Sequence, residues 1–210
     1  PGRVFLLLGR AAPRPRRVGT LFPSAAGIRA NSVEGMPALA RYRQQHPGEA
    51  MVTDLFAGFL ASSADAFQRW HPPGHFTGSA WLVSADGQRV LLTHHRKLGR
   101  WLQLGGHADG DADLQEVALR EAHEESGLDA LAVEAEIFDM DRHAIPARGA
   151  DPEHWHYDVR FVVRATGGEA FAVSEESLAL AWKPVAEIAA DPASDESLRR
   201  MAAKWLRRAR

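Results

Sequence analysis

Residues 105–128 read GGHADGDADLQEVALREAHEESGL, and the reading of this stretch decides the rest of the chain. From Leu114 onward the spacing predicts a helix. At 3.6 residues per turn, Leu114, Val117, Ala118, Glu121, Glu125 and Leu128 fall on one stripe, with Glu124 on its margin. Gln115, Leu119 and His123 point the other way. The helix therefore aims carboxylates along the side it needs to bury. Glu121, Glu124 and Glu125 stand at i, i+3 and i+4, so their side chains can converge within one turn. Like charges on a partly buried stripe repel one another and lose hydration. A hard divalent cation compensates both costs, because carboxylate oxygens are the ligands that Mg2+ and Ca2+ prefer. An ion held there would project positive charge towards a phosphate group. Gly105 and Gly106 let the backbone approach a ligand closely, and a carbonyl there could complete a metal shell. Arg120 can hydrogen-bond and orient a carboxylate. The competing reading is a solvated charged helix with Arg120 in ordinary surface pairs. The shared apolar stripe and the glycines at both ends favour the metal.

Working outward, SAWLVSADGQRVLLTHH (79–95) is two apolar runs joined through Asp86-Gly87, a hairpin signal. HHRKLGRW (94–101) places Arg96, Lys97 and Arg100 just ahead of the double glycine, as a phosphate- or ribose-contacting patch or a solvated hairpin end. After the helix, LAVEAEIFDM alternates as a strand. HYDVRFVVR does so more clearly, with Tyr157, Val159, Phe161 and Val163 on one face and Asp158, Arg160 and Arg164 on the other. The segment 139–158 between them reads as a long irregular connection of the kind that forms substrate lids, in which Trp155 could stack on a base or simply pack. AWKPVAEIAA is expected to turn from strand to helix near Pro184. DESLRRMAAKWLRRAR is an amphipathic helix with core positions Leu198, Met201, Ala202, Trp205 and Leu206, and with Arg199, Arg200, Lys204 and Arg207 facing solvent. Strands on both sides of a central helix, without regular alternation, imply an α+β or layered α/β domain.

At the other end, residues 1–35 carry arginines and prolines with no acidic residue before Glu34, and read as a poorly ordered or non-native extension; Met36 and Met51 are candidate starts. A helical segment follows over 36–74, broken by HPG at 46–48, and the main domain is expected over 75–210. The 210 residues carry a net charge of −2, which favours neither nucleic acid nor an anionic membrane. With no cysteine, thiolate catalysis and cysteine-held metals are excluded, and a cytoplasmic enzyme is the default. No apolar run approaches the length of a membrane span. His94 and His95 are adjacent in a strand and face opposite ways. His154 and His156 share a face, which zinc could exploit but a polar strand face explains equally well.

The central stretch resembles the Nudix box of the MutT-type hydrolases, G-x5-E-x7-R-E-U-x-E-E-x-G-U. Gly106, Arg120, Glu121, Glu124, Glu125, Gly127 and Leu128 match in register. Chance would supply the charged and glycine matches with a probability on the order of 10⁻⁵. Two positions depart: Ala112 stands where the box has its first glutamate, and Ala122 at an apolar position. The resemblance implies a layered α/β/α fold, with a mixed sheet, the box helix packed against it and extra helices at both ends.

It also implies roles. Glu124 and Glu125 would be metal ligands, Glu121 a ligand or the base that activates water, Arg120 its orienter, and the Gly105 carbonyl a further ligand to Mg2+ or Mn2+. Glu176, with Glu175 as second choice, is the candidate for an additional catalytic glutamate ahead of Trp182. His107, beside the double glycine, is a candidate phosphate contact or a loop-packing imidazole. The expected reaction is hydrolysis of a nucleoside diphosphate linked to another group. The isomerases of the superfamily use a cysteine that is missing here. The non-enzymatic alternative is a nucleotide-binding regulatory module. Such regulators usually lose box carboxylates, which this chain keeps. A sheet edge or the N-terminal helices could form a homodimer surface.

Overall fold

The computed structural model describes residues 37–173 and 177–208. The Arg/Pro-rich stretch 1–35 and the candidates Glu175 and Glu176 lie outside the described residues.

Two helices, α1 (Pro37–Gln45) and α2 (Ala50–Ser62), are separated by a single 3-10 turn at Pro47–Glu49, where the HPG sequence interrupts the helical run. Strand β1 (Gly74–Val83) then enters the middle of a seven-stranded sheet. β2 (Arg89–His95), β3 (Arg100–Leu102) and β4 (Leu104–His107) follow, then helix α3 (Leu114–Ser126). The chain continues through β5 (Leu131–Ile145), β6 (His154–Ala165) and β7 (Ser177–Pro184) to α4 (Val185–Ala190) and α5 (Glu196–Arg208). The main path runs β3-β2-β1-β6-β5, with β4 added to β1 and β7 to β2. Among the described residues no helix is long and apolar enough to cross a membrane.

The Asp86-Gly87 turn forms as expected, with Gly87 at φ 71°. The two strands it joins pair only at Val83↔Val90 and then part. β2 goes on to pair with β7 and β3, while Thr77–Ala80 of β1 accept Leu104–His107 as an antiparallel neighbour. On its other side β1 runs parallel to β6, from Gly74↔Trp155 to Val83↔Arg164. This split brings the Gly105-Gly106 strand into the middle of the sheet and under α3.

Helices cover both sheet faces. Leu39, Tyr42, Phe56, Phe59 and Leu60 of α1 and α2 pack with Phe76, Tyr157, Val159, Phe161 and the α3 residues Val117 and Ala118. On the opposite face Trp81, Val83, Val162 and Phe138 meet Leu198, Met201, Ala202 and Trp205 of α5. Helix α3 is capped at its start by Asp113, whose carboxylate accepts from the Glu116 N–H at 3.3 Å. It ends at Gly127, whose left-handed φ of 68° suits glycine.

Two expectations are corrected. Residues 139–158 are not a long irregular connection: β5 reaches Ile145 and β6 begins at His154, as one long antiparallel pair. Register shifts around Ile137 and Asp139 break the alternation there, and polar residues that look solvated are paired across the strands. Lys204 of α5 does not face solvent. It is buried and bonded to Asp139 at 2.6 Å and Glu49 at 2.8 Å.

Candidate active site and its surroundings

The buried residues of α3 are Leu114, Val117, Ala118, Ala122 and Ser126. The buried stripe is therefore rotated relative to the one read from sequence, with the small side chain of Ala122 fully buried and Glu121 on its border. Glu121 and Glu125 border the buried stripe half-covered, and Glu124 is exposed. Burying alanine in place of a carboxylate leaves the acidic groups some hydration while the helix still sits close to the sheet.

Glu121 lies directly over Gly106. A Cβ added to Gly106 would stand 2.5–2.7 Å from the Glu121 carboxyl atoms, so the absence of a side chain there is what admits the carboxylate. The neighbouring Gly105 N–H donates to Glu125 Oε1 at 2.7 Å. Arg120 donates to the His107 carbonyl at 3.3 Å and to Glu121 Oε1 at 3.4 Å. Three box residues thus hold the β4 backbone against one end of α3, with carboxylate oxygens gathered beside the double glycine. This donor set is all oxygen and acidic, which fits a hard divalent cation.

The other sequence candidates are distributed around the sheet. Arg96 donates to the Ser177 carbonyl at 3.1 Å. Arg100 pairs with Asp195 at 3.1 Å, on the α5 side of the sheet, beside a cleft of about 620 Å³ that His94, Trp101 and Lys183 also line. Lys97 is exposed on the same β2–β3 turn. Trp155 is a strand residue packed against the α1–α2 cluster, with the Arg142 guanidinium 4.2 Å from its ring centroid. His107 pairs with Thr77, so its ring lies on the sheet face opposite Glu121, 5.0 Å from His75 and 5.1 Å from His156 between ring centroids.

Sequence reasoning missed two features of that face. The first is a buried charge network. Asp158 accepts from Thr77 at 2.9 Å, Ser79 at 2.7 Å, Gln103 at 3.2 Å and Arg160 at 2.7 Å. Arg160, only 2% exposed, also reaches Asp139 at 3.1 Å and Asp141 at 3.2 Å. Arg200 and Lys204 approach Asp139 from α5, and Lys204 bonds the Tyr42 hydroxyl, which itself donates to Glu49. Burial disfavours the Arg160 cation, but the surrounding aspartates outweigh it and raise its pKa. Burial likewise works against ionised Asp139, and the hydrogen bonds from Arg200 with the charges of Arg160 and Lys204 reverse the sign and hold its pKa low.

The second is His75. It is 1% exposed, and burial with the neighbouring histidines pushes its pKa down to about 3. The same two causes take His156 down to about 2. Strand alternation places His154 and His156 on one face, but only the parallel β1–β6 register, His75↔His156, shows that a residue eighty positions earlier belongs with them.

A family model described as the NUDIX domain matches residues 74–205. No curated protein matches the chain. Among solved structures, an Ap4A hydrolase binary complex from C. elegans superposes with a TM-score of 0.52 at 15% identity, covering 64% of this chain and 96% of that one. A MutT protein from Methanosarcina mazei Go1 gives 0.51 at 17% identity, covering 67% and 98%. The dihydroneopterin triphosphate pyrophosphohydrolase of E. coli gives 0.51 at 18%, covering 63% and 95%. At these identities the likeness is one of fold.

Proposed function

Because the chain belongs to the NUDIX family of hydrolases, which act on phosphoanhydride bonds, we propose that it is a divalent-metal-dependent pyrophosphohydrolase of a nucleoside diphosphate linked to a second group. The observation that carries this reading is the Glu121 carboxylate seated over the bare Cα of Gly106, with Glu125 and Arg120 beside it. Glu121, Glu124, Glu125 and the Gly105 carbonyl would hold Mg2+ or Mn2+. When bound, the ion supplies positive charge against the phosphate oxygens and acidifies a coordinated water.

The rest is the work of the chain. Glu121 accepts the proton of the attacking water as its oxygen bonds to phosphorus; the phosphoanhydride P–O bond breaks and the leaving phosphate keeps the electron pair. Arg120, bonded at once to the His107 carbonyl and to Glu121, fixes that carboxylate relative to the loop. The Gly105 N–H does the same for Glu125. Arg96 and Lys97 of the β2–β3 turn are the proposed substrate contacts, and Glu176 a further catalytic carboxylate. Arg100, His107 and Trp155 are held apart from the carboxylates, respectively by Asp195, on the opposite sheet face and against the α1–α2 cluster. The proposed setting is the cytoplasm, where such nucleotide derivatives occur in solution.

The test is phosphate release from a panel of nucleoside diphosphate derivatives with Mg2+, Mn2+ or EDTA, alongside Glu125→Gln. The expected result is turnover that needs the cation and collapses in the variant. Binding of a panel member without turnover, equal in both proteins, would overturn the reading in favour of a ligand-sensing module.

A further inference from the structure

Five histidines, His75, His107, His143, His154 and His156, line the sheet face opposite the carboxylates. They come from four neighbouring strands, and the register makes the grouping unavoidable. His75 is paired with His156 across the parallel β1–β6 ladder, and His143 with His156 across β5–β6. His154 is two residues before His156 on the same face, and His107 is diagonal to His75 through the Thr77↔His107 pair.

Within this group, His75, His154 and His156 have the spacing of a metal site. One ring nitrogen from each lies within 4.8 Å of the others. For zinc bound at about 2.05 Å, and ring nitrogens about 1.15 Å from their centroids, three imidazoles on tetrahedral corners have centroids about 5.2 Å apart. The separations here are 4.8 Å for His75–His156, 5.1 Å for His75–His154 and 5.2 Å for His154–His156. The ring separations are those of such a site, and the ligand nitrogens, now within 4.8 Å of one another, would close to about 3.3 Å around the ion.

The hydrogen bonds point the same way. Both ring nitrogens of His75 are buried without a partner, as is Nε2 of His156. A histidine retained in a core for packing normally has its nitrogens satisfied, and one orphaned nitrogen of His75 with the orphaned Nε2 of His156 can share a single partner. His154 has its Nδ1 2.8 Å from the Pro152 carbonyl, which can only accept, so Nδ1 carries the proton and Nε2 presents its lone pair. A backbone carbonyl fixing the tautomer of an imidazole in this way is the usual support of a metal ligand.

We propose that His75, His154 and His156 form a metal site for a borderline divalent transition-metal ion, zinc foremost, separate from the carboxylate site on the other face of the sheet. All-imidazole coordination selects ions at the strong end of the divalent series and rejects Mg2+, which demands oxygen. Three protein ligands leave one position for water. His107 stands about as near, 5.0 Å from His75 and 5.1 Å from His156 between ring centroids, on the strand over whose other face Glu121 of α3 sits at Gly106, so the ion would tie the starts of β1 and β6 to the edge of the carboxylate loop. The inference does not depend on the proposed hydrolysis.

The experiment uses the full chain without a polyhistidine tag, stripped with EDTA and returned to excess Mg2+ so that the carboxylates are occupied. Titration with Co2+ should bind one equivalent and develop the intense visible bands of a four-coordinate nitrogen site, which Zn2+ then discharges. His154→Ala and His156→Ala should each weaken Zn2+ binding by more than about 100-fold, while Glu124→Gln with Glu125→Gln should leave it unchanged. His154 is half-exposed, so its variant keeps the test valid if a substitution at the more buried positions prevents folding. A Co2+ spectrum of six-coordinate type, Zn2+ affinity equal in wild type and His154→Ala, or binding lost in the glutamate variant instead, would overturn the proposal.

Discussion

Replacing Gly106 by alanine should lower activity about 100-fold while leaving the fold intact. The new Cβ would stand 2.5 Å from Glu121 Cδ and Oε2, about 0.9 Å inside ordinary contact, which begins near 3.4 Å. The backbone cannot yield easily, because Gly106 is held in register with Gly78 of β1. The Glu121 side chain can, since its carboxylate is the far end of a rotatable chain on the border of the helix stripe. The carboxylate therefore moves by nearly 1 Å, and misplacement on that scale costs a rate factor on the order of 10², or about 2.7 kcal/mol of transition-state stabilisation. The melting temperature should fall little, because no apolar contact is lost. The assay is metal-dependent kcat/KM of Gly106→Ala on the best substrate of the panel, with thermal unfolding in parallel. Gly58→Ala serves as the control, since its added Cβ meets nothing within 4 Å. Wild-type kcat/KM in Gly106→Ala, or a loss of activity matched by loss of the folded state, would refute the argument that the glycine exists to seat the carboxylate.

Three further outcomes concern stability. Gly58→Ala, at an exposed helical position of α2, should stabilise the protein by about 0.5–1 kcal/mol through the entropy of the unfolded chain, read as a shift of the urea midpoint at constant slope. Arg160→Met leaves fully buried Asp139 and nearly buried Asp158 short of a partner and should cost about 3–5 kcal/mol; a loss under about 1 kcal/mol would mean that Arg200, Lys204 and the β1 hydroxyls suffice. The pKa of Asp139 is held below its ordinary value, against burial, by its cationic neighbours, and that of Asp141, also against burial, by its hydrogen bond with His143 and then the charges of Arg160 and Arg200. A depressed folded-state pKa contributes stability above the unfolded value near 3.8, lost as pH falls through the folded one. Wild type should therefore lose stability below about pH 4, and the gap to Arg160→Met should narrow over the same range. Urea unfolding between pH 7 and pH 2 measures both.

The chain by itself determined those features in which the physics is local. Spacing along one helix was enough to bring Glu121 and Glu125 to the same side, because residues four apart share a helix face whatever surrounds them. The Asp86-Gly87 turn and the apolar face of β6 were legible for the same reason. The tertiary structure decided what depends on register between distant strands. The angle of α3 about its axis followed from packing Ala122 against the sheet, which put the glutamates on the rim of the buried stripe. The seat of Glu121 over Gly106 needed β4 to leave β3 and join β1. Lys204 and Arg200 looked like a solvated helix face, since nothing in α5 reveals that Asp139 faces them from β5. His75 was invisible beside Pro72-Pro73-Gly74 until the parallel pairing with β6 set it against His156. A one-residue slip in that register would turn its side chain to the other face, so no reading of either strand alone could have placed it.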